Sequence, residues 1–333
     1  MKPCGIVLQG GGALGAYEWG AVKALVGAGY EPKVVTGVSI GAINTAAIAG
    51  APNGRIAASL DALWHTITIP KIAFVPADQQ FWLAAFGVPG FYKLRSDYLN
   101  AHNWTSMCDV SPMLDTLTNL LDWDRINDKK LHRVCVTATN VRTGLSVRFS
   151  NTNQLLTPLH IMASGSLPPG FPGTEIDGEV YWDGGLFDNT PLRPLIEMLK
   201  YEEVERLPIF ILDLFPNGGN VPGNMNQVKE RNMEISFENR FWDDFGGPIG
   251  LREYAAMLED LEKLVPEDSK IRKNPQYRRM IDYKALMHLH VISATHPPMS
   301  GGMDFSEYTV NLRHDVGYRA MKDYLEANQM LSS

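Results

Sequence analysis

Two hydrophobic periods alternate through the first fifty residues. Residues 4–9 (CGIVLQ) form a short apolar run ended by three glycines, and residues 33–38 (KVVTGV) form a second. Each reads as a buried strand. Between them Leu14, Tyr17, Ala21, Val22 and Leu25 recur at helical spacing, and Gly27 and Gly29 close the segment. Residues 40–50 (IGAINTAAIAG) then read as a small-residue helix stopped by Gly50. Strand, helix, strand, helix predicts a parallel sheet with a right-handed crossover.

Further strands are predicted at 134–139, 146–149, 174–176, 179–182, 208–215 and 288–294. Helices are predicted near 55–67, 111–121, 191–202, 250–264 and 306–328. Residues 69–108 break the pattern: Phe74, Phe81, Trp82, Phe86, Phe91, Tyr92, Tyr98 and Trp104 follow no clear period among prolines and glycines. Such a stretch suits a lid or an apolar groove, or equally a peripheral layer with its own small core. Residues 216–227 (PNGGNVPGNMNQ) read as an exposed loop.

Composition narrows the class. At 333 residues with 45% hydrophobic and 20% charged residues, a large core is available and disorder is not expected. The formal charge of −7 argues against nucleic acid as a partner and against charge-driven membrane docking. Cys4, Cys108 and Cys135 contain no CxxC pair, which suits reduced thiols and a cytoplasmic location. The N-terminus resembles a weak signal peptide, but its glycine density is wrong for an apolar helical segment. No charge-poor run approaches the roughly 20 residues that span a bilayer.

The candidate chemistry sits in the two strand-to-helix turns. Gly10-Gly11-Gly12-Ala13-Leu14-Gly15 fits GxGxxG, but a dinucleotide site calls for an acidic residue at the end of the second strand. That strand ends instead in Thr36-Gly37-Val38-Ser39, with Glu31 before it. The other readings are a plain tight strand-to-helix turn and an anion cradle of bare backbone N–H groups. Gly37-Val38-Ser39-Ile40-Gly41 is a GxSxG between strand and helix, where a nucleophile elbow needs small residues two positions either side of the serine. Parallel neighbours bring both turns to the carboxyl edge of the sheet, so the glycine amides are expected beside Ser39.

A serine nucleophile needs a base. His288, His290, His296 and His314 are available for a triad, although too little chain precedes the serine strand for the usual α/β-hydrolase arrangement. The alternative is Asp183 of Trp182-Asp183-Gly184-Gly185, at the end of a predicted strand and just before Asn189-Thr190-Pro191 opens a helix. Two weaker signals remain. His288-x-His290 with His296 could suggest a metal site, but no carboxylate partner is apparent, so no metal is expected. Lys270, Arg272, Lys273, Arg278 and Arg279 read as a solvated face before an anionic-headgroup site.

With these motifs in order, the sequence resembles the patatin-like phospholipase family of serine hydrolases. The family pattern is a glycine loop, GxSxG, a Pro-rich Ala-Ser segment and Asp-Gly-Gly. Here the last two are Ala163-Ser164-Gly165-Ser166-Leu167-Pro168-Pro169 and Asp183-Gly184-Gly185. Residues 136–144 and 188–192 also resemble bacterial members, and DFSEYTVNLRHDVGYR (304–319) is the suggestive part of the C-terminal third. The resemblance implies a three-layer α/β/α fold with a mainly parallel central sheet. It divides the chain into a catalytic domain over 5–215 and a largely helical extension over 216–333, packed on it.

For the site, the resemblance implies a Ser39–Asp183 dyad without histidine and an oxyanion hole of Gly11 and Gly12 amides flanked by Gly10. Gly37 and Gly41 form the elbow, and no cofactor is needed. The substrate would be a lipid or other ester, met with peripheral membrane contact. One departure is Leu14, where the family often has Lys or Arg; charge assistance from that side chain would be absent. Three alternatives stand beside hydrolysis: an acyltransferase on the same elbow, a nucleotide-binding oxidoreductase and a catalytically silent lipid-binding relative. Related fatty-acid acyltransferases often carry His before the serine, where this chain has Val38, which favours hydrolysis.

Overall fold

Alternation along the central strands sends apolar side chains to both faces of one sheet, so both faces need cover. In β1 (Lys2–Leu8), Ile6 and Leu8 enter one core and Val7 the other. A computed structural model of the chain describes residues 1–216, 218, 221–238, 247–294 and 301–331. After β1 come α1 (Gly15–Gly27), β2 (Tyr30–Val38), α2 (Ile40–Ala49) and α3 (Ile56–Thr66). A small antiparallel sheet follows, made of β3 (Gly87–Val88), β4 (Tyr92–Leu94) and β5 (Cys108–Asp109). Next are α4 (Ser111–Leu120), α5 (Trp123–Asn127), β6 (Arg133–Asn140), β7 (Ser146–Ser150), α6 (Pro158–Ser164), β8 (Thr174–Ile176) and β9 (Glu179–Asp183). The remainder is α7 (Leu192–Glu197), α8 (Tyr201–Val204), β10 (Ile209–Asp213), α9 (Met225–Phe237), α10 (Gly247–Leu264), α11 (Pro275–Asp282), β11 (Leu289–Ser293) and α12 (Glu307–Ala327).

The main sheet runs β11-β10-β1-β2-β6-β9-β8, with β7 also on β6. The first five strands are mutually parallel, whereas β7 and β9 run antiparallel to β6, and β8 to β9. Helices α1, α2, α3 and α12 build the larger core on one face; α7 and α10 build the smaller core on the other. The result is the expected mixed, mainly parallel three-layer fold.

The C-terminal third enters this frame directly. β11 pairs with β10 in the main sheet, and α12 lies along α1. Their backbones touch: a Cβ on Gly20 would strike the His314 carbonyl, and one on Gly317 the Tyr17 carbonyl. Only glycine lets the two helices approach this closely.

Local departures from the sequence pattern have local causes. The helix predicted over 191–202 is split into α7 and α8. Asn224 caps α9 by accepting from the Gln227 N–H, so a helix begins inside the stretch expected to be loop. Within that stretch residues 217, 219 and 220 lie outside the described residues, as does His296. In residues 69–108 short 3-10 turns and the small sheet bury Phe91 and Tyr92 and leave Phe74, Phe86 and Tyr98 exposed. In the basic cluster, Arg272 closes α10 by donating to the Glu262, Val265 and Pro266 carbonyls, and Arg278 lies over the Tyr201 ring. Among the described residues no helix is long and apolar enough to cross a membrane. The three cysteines are free and buried.

Candidate active site

Strand register brings the two candidate catalytic residues together. β2 pairs with the first part of β6, Val38 opposite Thr137, and β9 pairs with its end, Asp183 opposite Ala138. β7 pairs with β6 over Cys135–Thr139 and so occupies the other edge throughout. β2 and β9 therefore share one edge and run head-on towards each other, and their last residues bring Ser39 and Asp183 to one point.

Ser39 occupies a backbone conformation that few L residues adopt, φ 55° and ψ −124°. Its neighbours must be small because the turn is crowded. A Cβ on Gly37 would strike the Gly41 carbonyl, and one on Gly41 would lie 2.5 Å from the Leu8 carbonyl oxygen. The turn points the α2 N-terminus at Ser39, which favours negative charge there.

The Ala-Ser segment ties both residues down. The Ser39 N–H donates to the Ser164 carbonyl (3.1 Å) and to Ser164 Oγ (3.0 Å), and Ser164 Oγ donates to the Thr137 carbonyl (2.6 Å). Two residues on, the Ser166 carbonyl accepts the Asp183 N–H at 3.0 Å. One short segment thus holds the backbone of both.

Asp183 is 1% exposed, and its Oδ1 accepts the Gly185 N–H at 2.8 Å. Burial pushes its pKa up to about 7; hydrogen bonds from the Ser39 side chain and the Gly185 N–H pull in the opposite direction. A carboxyl poised near neutrality beside a serine is what proton abstraction at ordinary pH needs.

The glycine loop lies against the serine: a Cβ on Gly10 would sit 2.9 Å from Ser39 Cβ. Its flanking amides are already committed. The Gln9 N–H donates to buried Glu18 (2.7 Å), the Gly10 N–H to Asn189 Oδ1 (3.0 Å), the Ala13 N–H to the Gly302 carbonyl (2.7 Å) and the Leu14 N–H to the Gly11 carbonyl (3.2 Å). The N–H groups of Gly11 and Gly12 have no partner among the described residues. Gly10 is thus committed, and Gly11 and Gly12 carry the two consecutive N–H groups of the loop without a partner among the described residues. Asn189 grips Gly10 twice, since its Nδ2 also donates to the Gly10 carbonyl at 3.2 Å.

Ser39, Asp183 and all three loop glycines open onto one cavity of about 80 Å³. Its walls are apolar: Ile40 and Ile43 from α2, Phe91, Leu167 and Phe171 from the middle of the chain, Met233 and Phe237 from α9, and Met303 and Phe305 before α12. No histidine lines it among the described residues. His290 lies on β11, against Phe210 and the Tyr324 hydroxyl, and His314 packs on Trp19 beside Asp315. His288 ends the turn before β11. Sequence reasoning did not reach Asn189 as a clamp, Ser164 and Ser166 as tethers, or Gly302. The Asn-Thr-Pro run signalled a helix start, and Gly302 has no local pattern at all.

The family model described as patatin-like phospholipase matches residues 6–196, more than half of the chain. No curated protein matches by sequence. Among solved structures the chain is similar to VipD from Legionella pneumophila, with 16% identity over 97% of this chain and 67% of that one, and a TM-score of 0.42. It is also similar to the ExoU–SpcU complex from the type III secretion system of Pseudomonas aeruginosa, with 15% identity and a TM-score of 0.38. That match covers all of this chain and about half (53%) of the other.

Proposed function

The chain belongs to the patatin-like phospholipase family, and from that premise we propose that it is a serine acyl hydrolase of lipid esters working through a Ser39–Asp183 dyad. Ser39 Oγ attacks the ester carbonyl while Asp183 takes its proton. The oxyanion is received by the Gly11 and Gly12 amides. Collapse of the tetrahedral adduct expels the alcohol, which takes the proton from Asp183, and water then attacks the acyl-enzyme with Asp183 again as base. The steps call on no cofactor.

One observation carries this reading. A buried carboxyl beside the Ser39 side chain faces the same cavity as two consecutive amides that have no partner among the described residues, while the amides on either side of them are taken. The apolar walls favour an acyl chain over a polar ester substituent. We assign the reacting groups to residues 5–215 and treat 216–333 as an extension packed on that domain, which also adds β11 to its sheet and several residues to the cavity wall. We place the protein in the cytoplasm, where three free cysteines are ordinary, with peripheral contact to membranes.

The test is a chain-length series of nitrophenyl esters beside phospholipids and lysophospholipids. Turnover by the wild type, lost in Ser39→Ala, is expected. No turnover across the panel would refute hydrolysis and favour an acyltransferase or a silent lipid binder.

A further inference from the structure

The glycine loop is held from outside the family-matched residues. Gly302, 289 residues after Ala13, places its carbonyl on the Ala13 N–H at 2.7 Å and lies so close that a Cβ on Gly12 (φ 58°) would strike it. In the reverse sense, a Cβ on Gly302 would sit 2.6 Å from the Gly11 carbonyl oxygen. The contact is backbone against backbone, beside the two free amides, and Gly302 lines the same cavity.

What fixes Gly302 is α12. Arg313, 0% exposed, donates from its guanidinium to the Gly301 carbonyl (3.2 Å) and the Asp304 carbonyl (3.4 Å), spanning the turn that carries Gly302. The Asp304 carboxylate accepts the Ser306 N–H (3.1 Å) and the Thr309 hydroxyl (2.6 Å), tying the turn to the start of α12. Phe305 packs edge-on against Phe91, and both line the cavity. Burial lowers the Arg313 pKa to about 10, which leaves the guanidinium charged at neutral pH.

We propose that the Gly301–Asp304 turn is a working part of the oxyanion hole, with the Gly302 carbonyl setting the pitch of the glycine loop and Arg313 as the positioning residue that holds it. The proposal rests on the hydrolase reading above. It gives residues 304–319, the suggestive part of the C-terminal third, a defined task.

The test compares Gly302→Ala, Arg313→Gln and Arg313→Lys with the wild type in the full chain, each at a temperature where it is folded. Three quantities are read: kcat, KM for a short nitrophenyl ester, and Ki for a trifluoromethyl ketone, whose adduct with a serine carries an oxyanion. Losing one oxyanion donor costs about 100- to 1,000-fold, so a displaced loop should lower kcat at least about 10-fold. KM should stay within about threefold, because those amides serve the transition state and not the ground state. Ki should rise in step with the fall in kcat/KM, and Arg313→Lys should retain part of what Arg313→Gln loses. A merely structural role would lower Tm and leave kcat and Ki unchanged, and that result in folded Gly302→Ala overturns the proposal even if Arg313→Gln does not fold. Absence of turnover and of a Ser39 adduct in the wild type would instead overturn the hydrolase reading, and this proposal with it.

Discussion

Asp183→Asn should be inactive and, above neutral pH, more stable than the wild type. The native carboxyl titrates at about 7 against an ordinary 3.8, because burial disfavours its charge. Each unit is worth about 1.4 kcal/mol, so ionising it in the folded protein costs about 4 kcal/mol relative to the unfolded chain. The sign follows from proton counts. Between about pH 4 and pH 7 the folded state holds a proton that the unfolded state has released, so stability falls as pH rises, then levels off. Asparagine has the same shape, can accept the Gly185 N–H and never ionises, so the variant escapes this cost. With an unfolding entropy of about 2.1 cal/mol/K per residue, 4 kcal/mol in a chain of this size is a Tm difference of about 6 °C. Calorimetry of both proteins from about pH 4 to pH 8.5 should show the curves converging in acid and separating to that extent above neutrality. Parallel curves, or a variant less stable at high pH, would refute a buried carboxyl of raised pKa.

Other consequences are as direct. Wild-type kcat/KM should rise with pH through about 7 and then level off, reporting ionisation of the base; a profile flat between pH 5 and pH 9 would contradict it. Ser39→Ala and Ser39→Gly should both abolish esterase activity, but the glycine variant should be the more stable by about 1 kcal/mol of relieved strain, read from thermal unfolding, since φ 55° with ψ −124° is far easier for glycine than for a residue with a side chain. Asn189→Ala removes both bonds that grip Gly10 and should lower kcat about 10-fold with little change in KM, measured on a short ester. His290→Gln should keep near-wild-type turnover in the same assay, because His290 packs on Phe210 and Tyr324 away from the cavity.

The parts of the site that were readable in the sequence are those where chemistry and backbone geometry coincide within a few residues. A glycine triplet, a serine between glycines and an Asp-Gly-Gly each announce a tight turn at the end of a strand. The βαβα order of the first fifty residues then places two of those turns side by side. Topology does the rest, and it left little local trace. That β2 and β9 meet head-on along one edge of β6 depends on register between strands more than 140 residues apart. Gly302 and Arg313 act on Ala13 across most of the chain, through carbonyls that any residue could supply. The amphipathic period of α12 predicts a helix but not which buried position carries a cation. In residues 69–108 the many exposed aromatic side chains erase the inside-outside contrast on which period reading depends.

The proposed activity depends on Ser39 being a nucleophile activated by Asp183. Its most direct test is labelling of the intact protein with a fluorophosphonate, followed by peptide mapping of the adduct. A single adduct on Ser39 is predicted, absent from Ser39→Ala and formed at least about 100-fold more slowly in Asp183→Asn. An adduct on another residue, or an undiminished rate in Asp183→Asn, would contradict the account.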